Sequence, residues 1–232
     1  MINGLHITAI IPARNEALAI SYVIKSLQEI EHAASNLIDT ILVIDNASTD
    51  ATAIISRQLG ASVISETELG YGAACSKGVS ALAKTDIVVF VDGDFTYRSK
   101  DIKRIILSLI DYELDLVMGS RFLGQIQADS MTPWQEKGTQ LVCRIIKWRF
   151  DFHFSDLGSL RAIRMDKLQL LDLQDRRFGW TAEMQIKALQ HKLLILEVPV
   201  TSHPRIGKSK ISGTFKGSVL AAFDLLKTAL CR

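Results

Sequence analysis

At 232 residues the chain is long enough for one sizeable core, and 48% hydrophobic with 22% charged residues excludes a disordered or low-complexity protein. A formal net charge of +2 is too small to imply a nucleic-acid partner. Cys75, Cys143 and Cys231 are too far apart for a zinc site and odd in number, so they exclude a disulfide framework and predict a reducing, cytoplasmic setting.

Residues 7–11 form a short apolar run ended by Pro12, the mark of a first strand. Over residues 17–30, Val23, Ile24, Leu27 and Ile30 recur at helical spacing. A second strand is predicted over 40–44, ended by Asp45. Ser48-Thr49-Asp50 offers capping oxygens before a helix over 51–59, which Gly60 stops. A strand over 61–65 follows, then a helix over 73–83 opened by Gly70-Tyr71-Gly72. Ile87 to Val91 is a run of apolar, mostly β-branched residues, as in a strand buried on both faces. A helix over 97–110 and a strand over 114–118 ending at Gly119-Ser120-Arg121 complete an alternating series. Such alternation predicts a mainly parallel α/β sheet with right-handed crossovers.

Beyond Arg121 the rhythm breaks. Residues 125–134 read as a polar loop, 140–148 as a helix, 160–163 as a strand, 182–189 as a helix and 194–200 as a strand. Residues 205–213 are basic and carry glycines. Residues 214–230 read as a mostly apolar helix with Lys216, Lys227 and Arg232 as its basic residues. That helix is too short to span a bilayer but could lie on one, or pack on the domain or on a second subunit. The N-terminus lacks the pattern of a signal peptide.

Polar residues gather where the early strands end: Pro12 to Glu16, Asp45-Asn46, Asp92-Gly93-Asp94 and Ser120-Arg121. In open α/β sheets ligands bind at that edge. Asp92 and Asp94 are separated by one residue, point the same way, and together suit a hard cation such as Mg²⁺ or Mn²⁺. Arg121 suits phosphate. Gly70 and Gly72 could let a backbone approach a ligand, or could be ordinary turn residues. With Gly78 they do not make the dinucleotide-binding Gly-x-Gly-x-x-Gly spacing.

These segments, in this order, resemble family 2 glycosyltransferases, and most broadly the dolichol-phosphate (polyprenyl-phosphate) mannosyltransferase group. Ser155-Asp156-Leu157-Gly158, Gly179 to Met184, Glu197 to Val200 and Arg205 to Lys210 extend the resemblance over nearly the whole chain. It implies a GT-A fold in one domain, with a nucleotide-sugar half over 1–121 and an acceptor-side half over 122–232. It also implies metal-dependent, inverting transfer from a UDP- or GDP-sugar. Pro12, Arg14 and Glu16 would line the nucleotide site and Asp45 would hold the base. Asp92 and Asp94 would carry the metal, and Arg121, Arg205 and Lys208 would meet phosphates. Arg14 stands where many relatives have an aromatic residue, and Thr96 where the polyprenyl-phosphate group often has glutamine.

A hydroxyl acceptor needs a base. Many inverting members carry a Glu-Asp pair for this; here Glu183 is the nearest counterpart and Asp156 the other candidate. Either could instead be a structural acid paired with Arg161, Arg164 or Arg176. A lipid-phosphate acceptor is already an anion and needs no base. The resemblance therefore leaves open a polyprenyl-phosphate acceptor, contact with the inner face of the membrane, and a homo-oligomer. Two alternatives stand beside it: a sugar-1-phosphate nucleotidylyltransferase, disfavoured by the lack of glycines in Pro12 to Glu16, and a non-catalytic nucleotide-sugar binder.

Overall fold

The computed structural model describes residue 2 and residues 4–33 and 35–207. In chain order the elements are β1 (Ile7–Ala13), α1 (Ile20–Gln28), a small ribbon of β2 (Glu31–His32) and β3 (Ser35–Asn36), β4 (Thr40–Asp45), α2 (Thr52–Gln58) and β5 (Ser62–Ser65). There follow α3 (Tyr71–Ser80), β6 (Ile87–Phe90), α4 (Ser99–Asp111), β7 (Leu116–Ile126), α5 (Pro133–Phe150), β8 (Arg161–Arg164), α6 (Met165–Leu171), α7 (Trp180–Gln190) and β9 (Ile195–Ser202).

Seven strands make one sheet in the order β5-β4-β1-β6-β8-β7-β9. The pairs β5-β4, β4-β1 and β1-β6 are parallel, as the alternating first half predicts. β8 runs antiparallel between β6 and β7, and β9 closes the edge parallel to β7.

The apolar runs bury both faces. Ile87, Val89 and Val91 pack with Val23, Ile24 and Leu27 of α1 and Ile102, Ile105 and Ile106 of α4. Val88 and Phe90 point the other way, onto Ala74 and Cys75 of α3, Val142 and Ile146 of α5, and Met184 of α7. Strand periodicity thus splits one sequence stretch between two cores.

Several elements depart from expectation, the β2–β3 ribbon among them, which no sequence pattern marks. β7 continues to Ile126 through residues whose polarity reads as loop, because after an irregularity it pairs again with Thr201 and Ser202 of β9. α5 starts at Pro133, where Thr132 and Gln135 form a capping box and proline occupies the first turn. The short helix α6 has no forecast counterpart. The basic segment beyond Gly207 and the apolar helix expected over 214–230 lie outside the described residues. Among the described residues, no helix is long and apolar enough to cross a membrane.

Candidate active site at the carboxyl edge of the sheet

The parallel strands deliver their carboxyl ends to one cavity of about 450 Å³. Pro12, Ala13, Arg14 and Glu16 enter it from the end of β1 and the loop beyond, Asp92, Gly93 and Asp94 from the end of β6, and Arg121 from β7. Arg205 enters from the segment after β9. Residues as far apart in sequence as Pro12, Asp92 and Arg205 thus share one wall, in part because the sheet order brings β1 beside β6.

Two carboxylates sit at the end of β6. The Ser159 hydroxyl donates to Asp92 Oδ2. Burial, and then the neighbouring Asp94, push Asp92 up to about 7, while Ser159, Arg121 and Arg205 pull it down. Asp94 Oδ1 accepts from the Thr96 amide at 3.0 Å and the Thr96 hydroxyl at 2.6 Å. Its Oδ2 lies 3.5 Å from Arg205 Nη1, and Arg205 Nη2 donates to Glu16 Oε1 at 2.8 Å. One guanidinium therefore stands among three acids, and the cluster favours more positive charge. Among the described residues no set of three or more His, Cys, Asp or Glu side chains could hold a metal ion. The Asp92 and Asp94 pair instead fits a hard ion that completes its shell with phosphate oxygens and water.

Asp45 is buried at the end of β4, outside the cavity lining, and its Oδ1 has no hydrogen-bond partner among the described residues. A buried acceptor in that position fits a ring N–H of a base. Asn15 and Asn46 brace loops: Asn15 Oδ1 accepts from the Thr49 amide, and Asn46 spans the carbonyls of Glu66 and Glu68 and the Gly70 amide.

The two acids considered as bases are not brought to the cavity. Asp156 is buried and accepts from the Arg121 amide at 2.9 Å, Arg121 Nε at 2.8 Å and Nη2 at 2.7 Å. Its partner is Arg121, not the Arg161, Arg164 or Arg176 anticipated. This fork holds Arg121 against the cavity wall. Glu183 is fully buried on α7, where it accepts from the Gln174 and Asp175 amides and pairs with Lys187 at 3.2 Å. Lys208 lies outside the described residues.

The glycines Gly70 and Gly72 serve the chain's own backbone. The Gly72 and Ala73 amides donate to the carbonyls of Arg177 and Arg176 at 3.0 and 2.8 Å. A Cβ at Gly72 would lie 2.1 Å from the Asp175 carbonyl oxygen. Gly72→Ala is therefore expected to cost about 2 kcal/mol and lower Tm by roughly 5 °C, read by calorimetry. An unchanged Tm would show that the 175–177 segment yields freely.

That segment carries cavity residues that sequence reasoning did not single out: Arg177 and Phe178, joined by Thr181, Leu157 and Ser159. No motif spacing marks Ser159. Arg177 stood unmarked in the run Arg176-Arg177-Phe178, where only Arg176 drew notice, and Arg176 pairs instead with Glu68.

The family model described as glycosyl transferase family 2 matches residues 8–168. An uncharacterized glycosyltransferase of Mycobacterium tuberculosis is 32% identical over 226 residues, covering 97% of this chain and 98% of that protein. A dolichyl-phosphate hexose transferase of Haloferax volcanii is 27% identical, covering 93% and 90%. Among solved structures, glucosyl-3-phosphoglycerate synthase from Mycobacterium tuberculosis, in complex with Mg²⁺ and UDP, superposes with a TM-score of 0.78 at 20% identity, over 98% of this chain and 79% of that one. That likeness gives the fold as GT-A.

Proposed function

The chain belongs to glycosyl transferase family 2 and is a glycosyltransferase, and from that premise we propose metal-dependent, inverting transfer of a sugar from a UDP- or GDP-sugar to a lipid-phosphate acceptor. The observation that carries this reading is the pairing of Asp92 and Asp94 at the cavity with Arg121 and Arg205 beside them. Mg²⁺ or Mn²⁺ held by Asp92 and Asp94 would neutralise the diphosphate as it departs. The UDP complexes of the structural neighbour, with Mg²⁺ or Mn²⁺, support that choice of ion.

Residue roles follow from charge and position. Pro12, Arg14 and Glu16 line the nucleotide side, and the Arg14 plane offers a surface on which a base can stack. Asp45 accepts a ring N–H, a group that uracil and guanine both present. Arg121, fixed by Asp156, and Arg205 face the leaving diphosphate, where negative charge grows in the transition state. Lys208 extends this basic set in sequence. The donor is carried by residues 1–121, and the acceptor meets the later segments that bring Arg177, Phe178 and Thr181.

The acceptor oxygen attacks the anomeric carbon from the face opposite the diphosphate, the anomeric C–O bond breaks, and the configuration inverts. A phosphate oxygen attacks as an anion, with no proton to remove. Asp156 and Glu183 both being turned into structure supports that acceptor, as does the name of the Haloferax relative.

Thermal melting with UDP and with GDP, with and without Mn²⁺, tests the reading. One nucleotide at about a hundred times its Kd is expected to raise Tm by roughly 5–10 °C only with the metal present. No shift with either nucleotide would sink it. Nucleotide release from a panel of nucleotide-sugars, with and without a polyprenyl phosphate, then names the donor and tests the acceptor.

A further inference from the structure

Helix α5 has an outer side that neither the fold nor the reaction employs. Its inner side, Thr139, Val142, Cys143 and Ile146, is buried. At about 100° per residue, Trp134, Lys137, Leu141, Arg144 and Trp148 fall within roughly 80° of arc on the opposite side. The side of a helix that faces water is normally its most polar. Here Trp134 is 78% exposed, Leu141 48% and Trp148 82%.

The pattern has two further properties. The large apolar groups recur every seventh residue, tryptophan at each end and leucine between, so they form a stripe along the helix that drifts by only about 20° per heptad. Cations are interleaved with them: Lys137 and Arg144 lie in the stripe, and the Lys137 ammonium stands 5.6 Å from the Trp134 ring. Lys147 and Arg149 add to the basic balance, and the helix's one acid, Glu136, falls off this side.

Indole rings favour the headgroup level of a bilayer, basic side chains are drawn to anionic lipid phosphates, and an amphipathic helix lies in that plane. A second copy docked through the same stripe would set cations against cations. We propose that α5 is a membrane-docking helix, seating the protein on an anionic lipid surface through Trp134, Leu141 and Trp148 with Lys137 and Arg144 on the headgroups. The helix runs directly into the segment that brings Leu157 and Ser159 to the cavity wall. Docking is independent of the acceptor's identity, and its test reads no turnover.

The chain has three tryptophans, and Trp180 is only 3% exposed, so fluorescence quenching by brominated lipid reports on α5. The full chain is mixed with brominated vesicles of phosphatidylcholine alone or with phosphatidylglycerol. Quenching is expected with the phosphatidylglycerol vesicles and should weaken as salt rises. In co-sedimentation, Trp134→Ser/Trp148→Ser and, separately, Lys137→Glu/Arg144→Glu should each weaken vesicle binding by about tenfold or more. Both variants alter only exposed side chains, and unchanged thermal melts verify their folding. Absence of quenching would overturn the proposal. So would vesicle binding that both variants retain in full, since the contact would then lie elsewhere in the chain. A dimer in light scattering that the tryptophan variant dissociates, without vesicle binding by the parent, would assign the stripe to a second copy and equally overturn it.

Discussion

Asp94→Asn is expected to abolish metal-dependent nucleotide binding and to lower turnover about a thousandfold while leaving Tm nearly unchanged. The amide keeps an oxygen for the Thr96 amide and hydroxyl but removes the charge beside Asp92 and the 3.5 Å contact with Arg205. That contact is partly open to solvent, so its loss should cost no more than about 1 kcal/mol, and relief of the repulsion from Asp92 offsets part of it. Titration calorimetry with Mn²⁺ and the preferred nucleotide reads the binding. If the variant bound metal and nucleotide as the parent does, Asp94 would have no part in the ion's site.

Asp156→Ala should instead unfold easily. Its carboxylate is buried, accepts two bonds from the Arg121 guanidinium and one from the Arg121 amide, and also caps the Leu157 amide. Removing one partner of a buried pair leaves the other charge uncompensated, which costs about 3–5 kcal/mol. In a chain of this size Tm should fall by roughly 10 °C. A general base would behave differently: its loss would leave stability intact and flatten the pH profile of turnover. Calorimetry of Asp156→Ala, set beside its pH-rate profile, separates the two, and an unshifted Tm would refute the structural role.

The first half of the fold was legible because its strands are continuous apolar runs and its helices carry a clear 3.6-residue period. The cavity was legible for the same reason: each apolar run ends abruptly in polar residues, so the ends of β1 and β6 and the Ser120-Arg121 step within β7 mark the site. In the second half most of the helices and strands were legible but their pairing was not. β8 reads Arg-Ala-Ile-Arg, and nothing in four residues reveals that Arg161 is buried, its guanidinium donating to the Gly158 and Thr181 carbonyls. Partner strand and direction are long-range properties that local pattern does not encode. Glu183 and Asp156 failed as cavity residues because an acid's role depends on which amides and guanidiniums the fold brings to it. α5, by contrast, announced its true start through Thr132-Pro133 and Gln135, a signal that hydrophobic periodicity alone passes over.

β8 also bears on how the polypeptide is made. β6 and β7 are not neighbours in the finished sheet: each pairs with β8, a strand about seventy residues downstream of β6 that must slide between them. During synthesis the strands from β1 to β6 must therefore wait with one edge unpaired, and closing the sheet's middle is expected to be a late, slow step. The nascent chain therefore has no seam in this sheet along which its first half could mature alone.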